Sequence, residues 1–417
     1  MTGQATGEST VATDLQDERL IRSSGVGGSL MAFVSRVRNG DLGSLPVVIG
    51  LIVIWVVFQV LNPDFLSSNN LVNLTLQCAA TGTIAVGVVL VLLLAQIDLS
   101  VGSVSGLAAA ILGVGLTRYG WPVALTIAVA LAAGIAIGLL YAFLFVRFGV
   151  PSFVITLAGL LGFLGLQLWV LGPNGSINIP FESWVVQFAQ QMYLPPIVAY
   201  LVAAIAGIGF TLSGYLKARK RKQHGLSSTS MVETLIKGIL LFVVLAAAAW
   251  YLNTDRGVGL SFLLFVVIVI IMNYLLTRTK WGRSVYAVGG NVEAARRAGI
   301  NVNRIYITVF ALSSLFAVLG GLLAAARLTS ASLSSGAGDV NLNAIAAAVI
   351  GGTSLFGGRG SAYSALLGIL VIQSISNGLT LLSLGSPERY MITGAVLLLA
   401  VIIDSISRRS RASHGRA

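Results

Sequence analysis

Eight polar side chains stand inside long apolar runs: Asn73, Gln77, Gln96, Asp98, Gln167, Asn273, Gln373 and Asn377. Each is costly in a bilayer unless it meets a partner or a water-filled path. All but Asp98 are amides, which donate and accept hydrogen bonds without imposing a charge. Gln77, Gln96, Asp98, Gln373 and Asn377 therefore make a candidate lining for the passage of an uncharged, polyhydroxylated solute. The competing reading is that these groups tie helices together, at about 0.6–2 kcal/mol each.

The only carboxylates close to the apolar runs are Asp98 and Asp404. Both are expected near cytoplasmic ends, not at the midplane position of a proton or sodium site. The string GGTSLFGGRG (351–360) lacks the Lys-Ser/Thr of a phosphate loop, and its glycines fit close helix packing or a tight turn better. Cys78 has no second cysteine to pair with, and His224 and His414 stand in basic segments away from any metal-ligand spacing. Neither a hydrolytic nor a redox constellation is present, so an enzyme active site is not expected. A different kind of site is suggested by VEAARRA (292–298), a short helix-forming stretch closed by Gly299 as a C-cap. Lying along the cytoplasmic surface, it offers a soluble partner something to grip.

What must position these groups is a membrane-embedded scaffold. Of 417 residues, 56% are hydrophobic and 10% charged, far from the ~25% charged of a soluble domain. About twelve apolar stretches approach the ~20 residues a spanning helix needs. They are 46–61, 71–95, 99–116, 123–146, 152–171, 196–216, 234–252, 258–276, 305–326, 340–356, 363–384 and 390–404. The expected fold is thus all-α, a polytopic transmembrane helical bundle. The stretches after Asp98 and Asp339 are short and glycine-rich, which predicts broken or re-entrant segments. Both places run from an acidic residue through small polar residues into an Ala-rich helix, a plan compatible with inverted halves or with chance.

Charge sets the orientation. With the N-terminus inside, all 26 Lys and Arg but Arg118, Arg256, Arg327 and Arg389 fall on the cytoplasmic side, the bias of the positive-inside rule. That bias accounts for the net charge of +12 without nucleic acid as a partner. Residues 1–45 read as a flexible cytoplasmic tail and not a cleaved signal peptide, 46–405 as the membrane domain and 406–417 as a second cytoplasmic tail. Within the domain, 217–233 with KARKRK is a basic loop suited to anionic lipid, and 278–304 is a longer, mixed cytoplasmic loop. Outside, 172–195 contains no Lys or Arg and suits a short amphipathic helix on the surface.

Four strings, in order along the chain, carry a resemblance: NPDFLSSNNLVNL (62–74), IDLSVGS (97–103), GRSVYAVGGNVEAARRAGINVNRI (282–305) and LNAIAAAVIGGTSLFGGRGS (342–361). Together they resemble the permease subunits of bacterial ATP-binding-cassette importers for monosaccharides, over nearly everything but the tails. Glu293, Ala294 and Ala295, with Arg296, Arg297 and Gly299, look like the EAA loop that docks in an ATPase cleft, though without the Pro of the longer motif. The chain exceeds ribose-type members by about one pair of spans near 196–252, a surplus similar to xylose-type permeases.

The resemblance implies ten family-like segments plus an inserted pair, in the bacterial inner membrane with both termini cytoplasmic. It further implies a second permease copy, most simply a homodimer, a pair of ATPase subunits that hold the ATP and magnesium, and an extracytoplasmic sugar-binding protein. This chain would need no cofactor of its own. Arg118, Arg327 and Arg389 are the outer cations expected to meet acidic groups on the binding protein. An ion-coupled sugar transporter is the runner-up.

Overall fold

The computed structural model describes residues 45–385 except 225 and 227–229, and beyond them 387–389, 391–395, 398 and 402. The two tails, Asp404, His414 and most of the stretch 390–404 lie outside the described residues.

Eight described helices are long and apolar enough to cross a membrane, and three shorter apolar ones accompany them. In chain order the first five are α1 (Leu45–Leu61), α2 (Ser68–Leu93), α3 (Val101–Thr117), α4 (Val123–Phe148) and α5 (Ser152–Leu171). Strand β1 (Ser176–Asn178) and the short α6 (Trp184–Gln190) follow. Next come α7 (Pro196–Gln223), α8 (Met231–Leu252), α9 (Leu260–Arg278), α10 (Lys280–Gly290), α11 (Val292–Arg297) and α12 (Val302–Leu328). Strand β2 (Ser330–Ser332), α13 (Asp339–Ile350) and α14 (Tyr363–Leu381) complete the order. The polytopic bundle read from the apolar runs is therefore present, with one addition. Strands β1 and β2 pair antiparallel, Ser176 opposite Ser332, a ribbon too short to be visible as alternation in the sequence.

The chain divides into two compact units. In the larger, α2 is the most buried of the described spans, with α12 and α14 next, and small residues bring backbones together around them. A Cβ on Gly138 of α4 would stand 2.5 Å from the Phe310 carbonyl of α12, and one on Gly321 of α12 would meet the backbone of Ser105 in α3. In lipid, such contact is the main attraction available between helices. The smaller unit contains the α7–α8 hairpin, within 195–257, the pair of spans that forms the surplus in length. Its two helices touch along Gly207, Gly214 and Gly238.

Helices α3 and α13 are the broken elements. Between α2 and α3 the chain folds back at Ala95, in the left-handed region at φ 56°. The stretch 333–338 then runs down beside α3 so closely that a Cβ on Gly102 would be 2.5 Å from the Gly336 carbonyl. The starts of the two helices meet, because Asn341 Nδ2 donates to the Leu99 carbonyl at 2.8 Å. From that point α3 runs toward Arg118, while α13 runs toward Gly351, packed on Ser364 at the start of α14. Each is shorter than the eight candidate spans, and the acidic residues that precede or open them, Asp98 and Asp339, belong to the same junction.

Candidate coupling surface and polar path

The stretch 278–304 folds into a compact surface element whose stops are written locally. Thr279 Oγ1 accepts from the Gly282 amide and opens α10. Asn291 closes α10 and opens α11, its Oδ1 accepting from the Ala294 amide at 2.9 Å; Asn301 does the same for α12 through Arg304. Each cap satisfies amides that a helix start leaves without partners. Gly299, at φ 81°, ends α11, and the Ile300 amide reaches back to the Ala295 carbonyl. A left-handed residue at that place is the glycine C-cap expected from the sequence.

On α11, Ala295 points inward and is buried, while Glu293, Ala294, Arg296, Arg297 and Gly299 are exposed. The Glu293–Arg296 pair at 2.7 Å lies in solvent and contributes little to stability. The six residues thus form a raised, charged turn with one apolar peg. Beneath it α10 buries Val285 and Val288, and Trp281 Nε1 donates to Thr308 of α12 at 2.8 Å.

Two further contacts fasten α10 and the turn beside it to the bundle, and neither is apparent in the sequence. Tyr286 Oη donates to the Gly360 carbonyl at 2.8 Å, and the Gly358 amide donates to the Leu93 carbonyl at the end of α2. Burial pushes the Tyr286 phenol above its ordinary value, so it remains a donor. Gly289 packs between Leu93 and Gly358 with no room for a Cβ. The glycine string 351–360 is thereby explained: Gly352, Gly357, Gly358 and Gly360 take positive φ in a tight turn, and Gly351 packs against α14.

The charges of the larger unit are sorted by end. Arg278, Lys280, Arg283, Arg296, Arg297 and Arg304 lie on or beside α10 and α11. Arg359 sits in the turn held by Tyr286, and Arg147 ends α4 where Phe145 packs on Tyr306 of α12. Among the described cations of this unit, only Arg118, Arg327 and Arg389 stand at the opposite end. Arg118 donates to the Val170 and Leu171 carbonyls that end α5. Arg327 is half-buried beside Gln190 of α6, which donates to the Ala326 and Arg327 carbonyls. Arg389 donates to Thr380 Oγ1. The expected surface helix in 172–195 is α6, which packs Val185, Val186 and Ala189 inward.

The structure distributes the polar residues unevenly. Asn377 and Asn70 exchange both amide hydrogen bonds, at 2.8 and 3.0 Å, and so join α14 to α2. Gln167, whose Nε2 donates to the Ser332 and Ser335 carbonyls, holds the end of β2 and the stretch after it. Gln96 donates to its neighbour Leu94 at the basic end. Gln77 and Gln373, on the neighbouring helices α2 and α14, are half-buried and make no side-chain hydrogen bond among the described residues. Asn273 of α9 is likewise half-buried and makes no side-chain hydrogen bond among the described residues.

Asp98, expected near a cytoplasmic end, is buried. Its Oδ1 accepts from the Ser100 amide and hydroxyl at 2.9 and 2.7 Å, and Oδ2 accepts from Ser313 Oγ at 3.4 Å. Ser313 stands near the middle of α12, so the fold-back after α2 carries this carboxylate deep into the bundle. No cation is within ion-pair distance of it among the described residues. Hydroxyls and an amide hold it in place instead. No local pattern in the sequence singles out Ser313, Asn341 and Asn343, because their burial depends on where the broken helices meet.

Comparison with known proteins decides the family. The branched-chain amino acid transport system / permease component family matches residues 70–401. The chain belongs to this permease family. Its relatives include the xylose transport system permease protein of Escherichia coli K12, 38% identical over 345 residues, 83% of this chain and 87% of the relative. The corresponding protein of Haemophilus influenzae is 36% identical over 90% of this chain and 99% of its own length. The ribose import permease protein of E. coli K12 is 33% identical over 86% and 92%. No solved structure matches the chain. The chain is accordingly a multi-pass membrane permease subunit, and the permease family of ABC importers implies an ATPase and a binding protein beside it.

Proposed function

We propose that this chain moves xylose or a similar aldose inward as the membrane-spanning subunit of an ATP-driven importer, the sugar being delivered by an extracytoplasmic binding protein. The observation that carries this reading is the α11 turn, exposed and capped at the basic end of a permease fold. The choice of sugar is supported by the names of the relatives at 36–38% identity. It also agrees with the amides Gln77 and Gln373, which suit an uncharged solute better than an amino-acid zwitterion.

In this reading the basic end is cytoplasmic, as are both termini, and the membrane is the bacterial inner membrane. ATP and magnesium are held and hydrolysed on a separate ATPase chain. Closure of the ATPase pair pulls on Glu293, Ala294, Arg296 and Arg297, with Ala295 and Gly299 keeping the turn rigid. The pull passes through α10 to the end of α2 and to the α13–α14 turn, and packed helices rock from one arrangement to the other. A second copy of the chain, most simply forming a homodimer, completes the passage. Gln77 and Gln373 line it, with Gln96, Asp98 and Asn377 holding its walls. Arg118, Arg327 and Arg389 face the binding protein and steer its acidic groups.

The test is uptake of labelled xylose by proteoliposomes holding the chain, its ATPase and the binding protein. ATP-dependent uptake without an ion gradient is the expected result. Uptake that needs an ion gradient and no ATPase would instead make the chain a secondary transporter.

A further inference from the structure

The α7–α8 hairpin has a lipid-sized recess on its surface. It is an apolar groove of about 510 Å³ between Ala204, Ile208 and Leu212 of α7 and Leu235, Ile239 and Phe242 of α8. The floor is formed where Gly207 and Gly238 let the two backbones touch, a Cβ on Gly207 standing 2.9 Å from the Gly238 carbonyl. Side chains are missing from the floor and present on both walls, so the recess is a consequence of the packing.

Its extent along the helix is informative. From Ala204 to Tyr215 at the far end of the lining, eleven residues at 1.5 Å each span about 16 Å. That is roughly half of a ~30 Å hydrocarbon core, the depth of one leaflet. The stripe that lines the groove on α7 recurs at steps of three and four residues, at 204, 207, 208, 211, 212 and 215. Continued at the same spacing it reaches Arg219 and Lys222, both exposed in the basic end of α7. Lys217 and Lys220 project from the opposite face. The charges on the facing part of α8, Glu233 and Lys237, are already paired with each other at 2.6 Å.

We propose that this hairpin carries a built site for an anionic phospholipid, an acyl chain lying in the groove and the phosphate headgroup meeting Arg219 and Lys222. The apolar recess supplies the fit to a chain, and the basic residues in line with it supply the preference for negative charge. A cluster of loose surface cations would attract anionic lipid without distinguishing one helical face from another. This site does distinguish them.

The test uses the full chain in nanodiscs of equimolar dioleoyl phosphatidylglycerol and dioleoyl phosphatidylcholine, with retained lipid counted by native mass spectrometry after transfer to detergent. The wild type should retain phosphatidylglycerol roughly tenfold over phosphatidylcholine. Arg219→Gln with Lys222→Gln should abolish the preference, and Lys217→Gln with Lys220→Gln, equal in charge lost, should keep it. Ala204→Phe, which fills the groove from a half-buried position, should lower retention of both lipids. Equal losses in the two charge pairs would reduce the effect to general attraction and overturn the site. So would an empty groove covered by a second copy of the chain, seen as Ala204→Phe changing the oligomeric state while lipid retention stays constant.

Discussion

Tyr286 and Gly360 are joined by one hydrogen bond of 2.8 Å, and through it the surface helix α10 is tied to the turn between α13 and α14. With Gly358 on Leu93, the same turn also grips the end of α2. A displacement of α11 therefore has a short route to three elements of the bundle. Removing the phenol hydroxyl in Tyr286→Phe deletes about 0.5–1.5 kcal/mol of connection and leaves the ring packed. Uptake should fall roughly threefold at that cost, while the detergent-solubilised protein melts within about 4 °C of the wild type. Unaltered uptake would show that the pull takes another route.

The exposed face of α11 bears the partner contact and not the fold. Glu293→Ala or Arg297→Ala should leave protein yield and melting unchanged, since the only ion pair disturbed is solvated. In proteoliposomes each should lose most ATP-driven sugar uptake while the ATPase continues to hydrolyse. If both variants import sugar at the wild-type rate, the α11 assignment is wrong.

Asp98 offers a sharp separation from ion coupling. Asp98→Asn retains an acceptor for Ser100 and adds an amide that can donate to Ser313, but it carries no titratable proton. An ATP-driven importer should transport within about twofold of wild type, a margin below the ~1 kcal/mol worth of one neutral hydrogen bond. Abolished uptake in a well-folded Asp98→Asn protein, with a lost pH dependence, would return the proton-coupled alternative.

Asn70 and Asn377 act as a unit. Each replacement by Ala should cost about 0.6–2 kcal/mol, and the double variant should cost clearly less than the sum. A cysteine placed at 377 should resist a water-soluble thiol reagent, whereas cysteines at 77 and 373 should react in at least one nucleotide state. Reaction at 377 alone would reverse the division between tie and path.

Close packing makes its own prediction. A Cβ on Gly368 of α14 has no space against the Ala347 backbone of α13, while one on Gly162 of α5 meets nothing. Gly368→Ala should lower stability by about 1–3 kcal/mol, read as a fall in melting temperature. Gly162→Ala should leave it unchanged. Similar midpoints for the two would mean that α13 and α14 do not sit this closely.

What the sequence disclosed follows the range of each interaction. The spans could be read because their apolar runs must match the bilayer thickness. The α11 turn could be read because Asn291 and Gly299 cap it within a few residues of its ends. The bond from Tyr286 to Gly360 crosses 74 residues, and no local pattern announces it. The sequence places Asp98 near a cytoplasmic end because an apolar run stops just before it; its depth comes from the fold-back at Ala95 and the approach of α12. Among the path amides, type alone could not separate Asn377, fully engaged with Asn70, from Gln77 and Gln373. That distinction exists only once α2 and α14 lie side by side.

The central claim, that α11 links ATP hydrolysis to sugar movement through this chain, is tested most directly by measuring xylose imported and ATP hydrolysed in the same proteoliposomes, for the wild type and for Arg297→Ala. The account predicts uptake in proportion to hydrolysis for the wild type, and hydrolysis with little uptake for the variant. An unchanged ratio of sugar to ATP in the variant would contradict it.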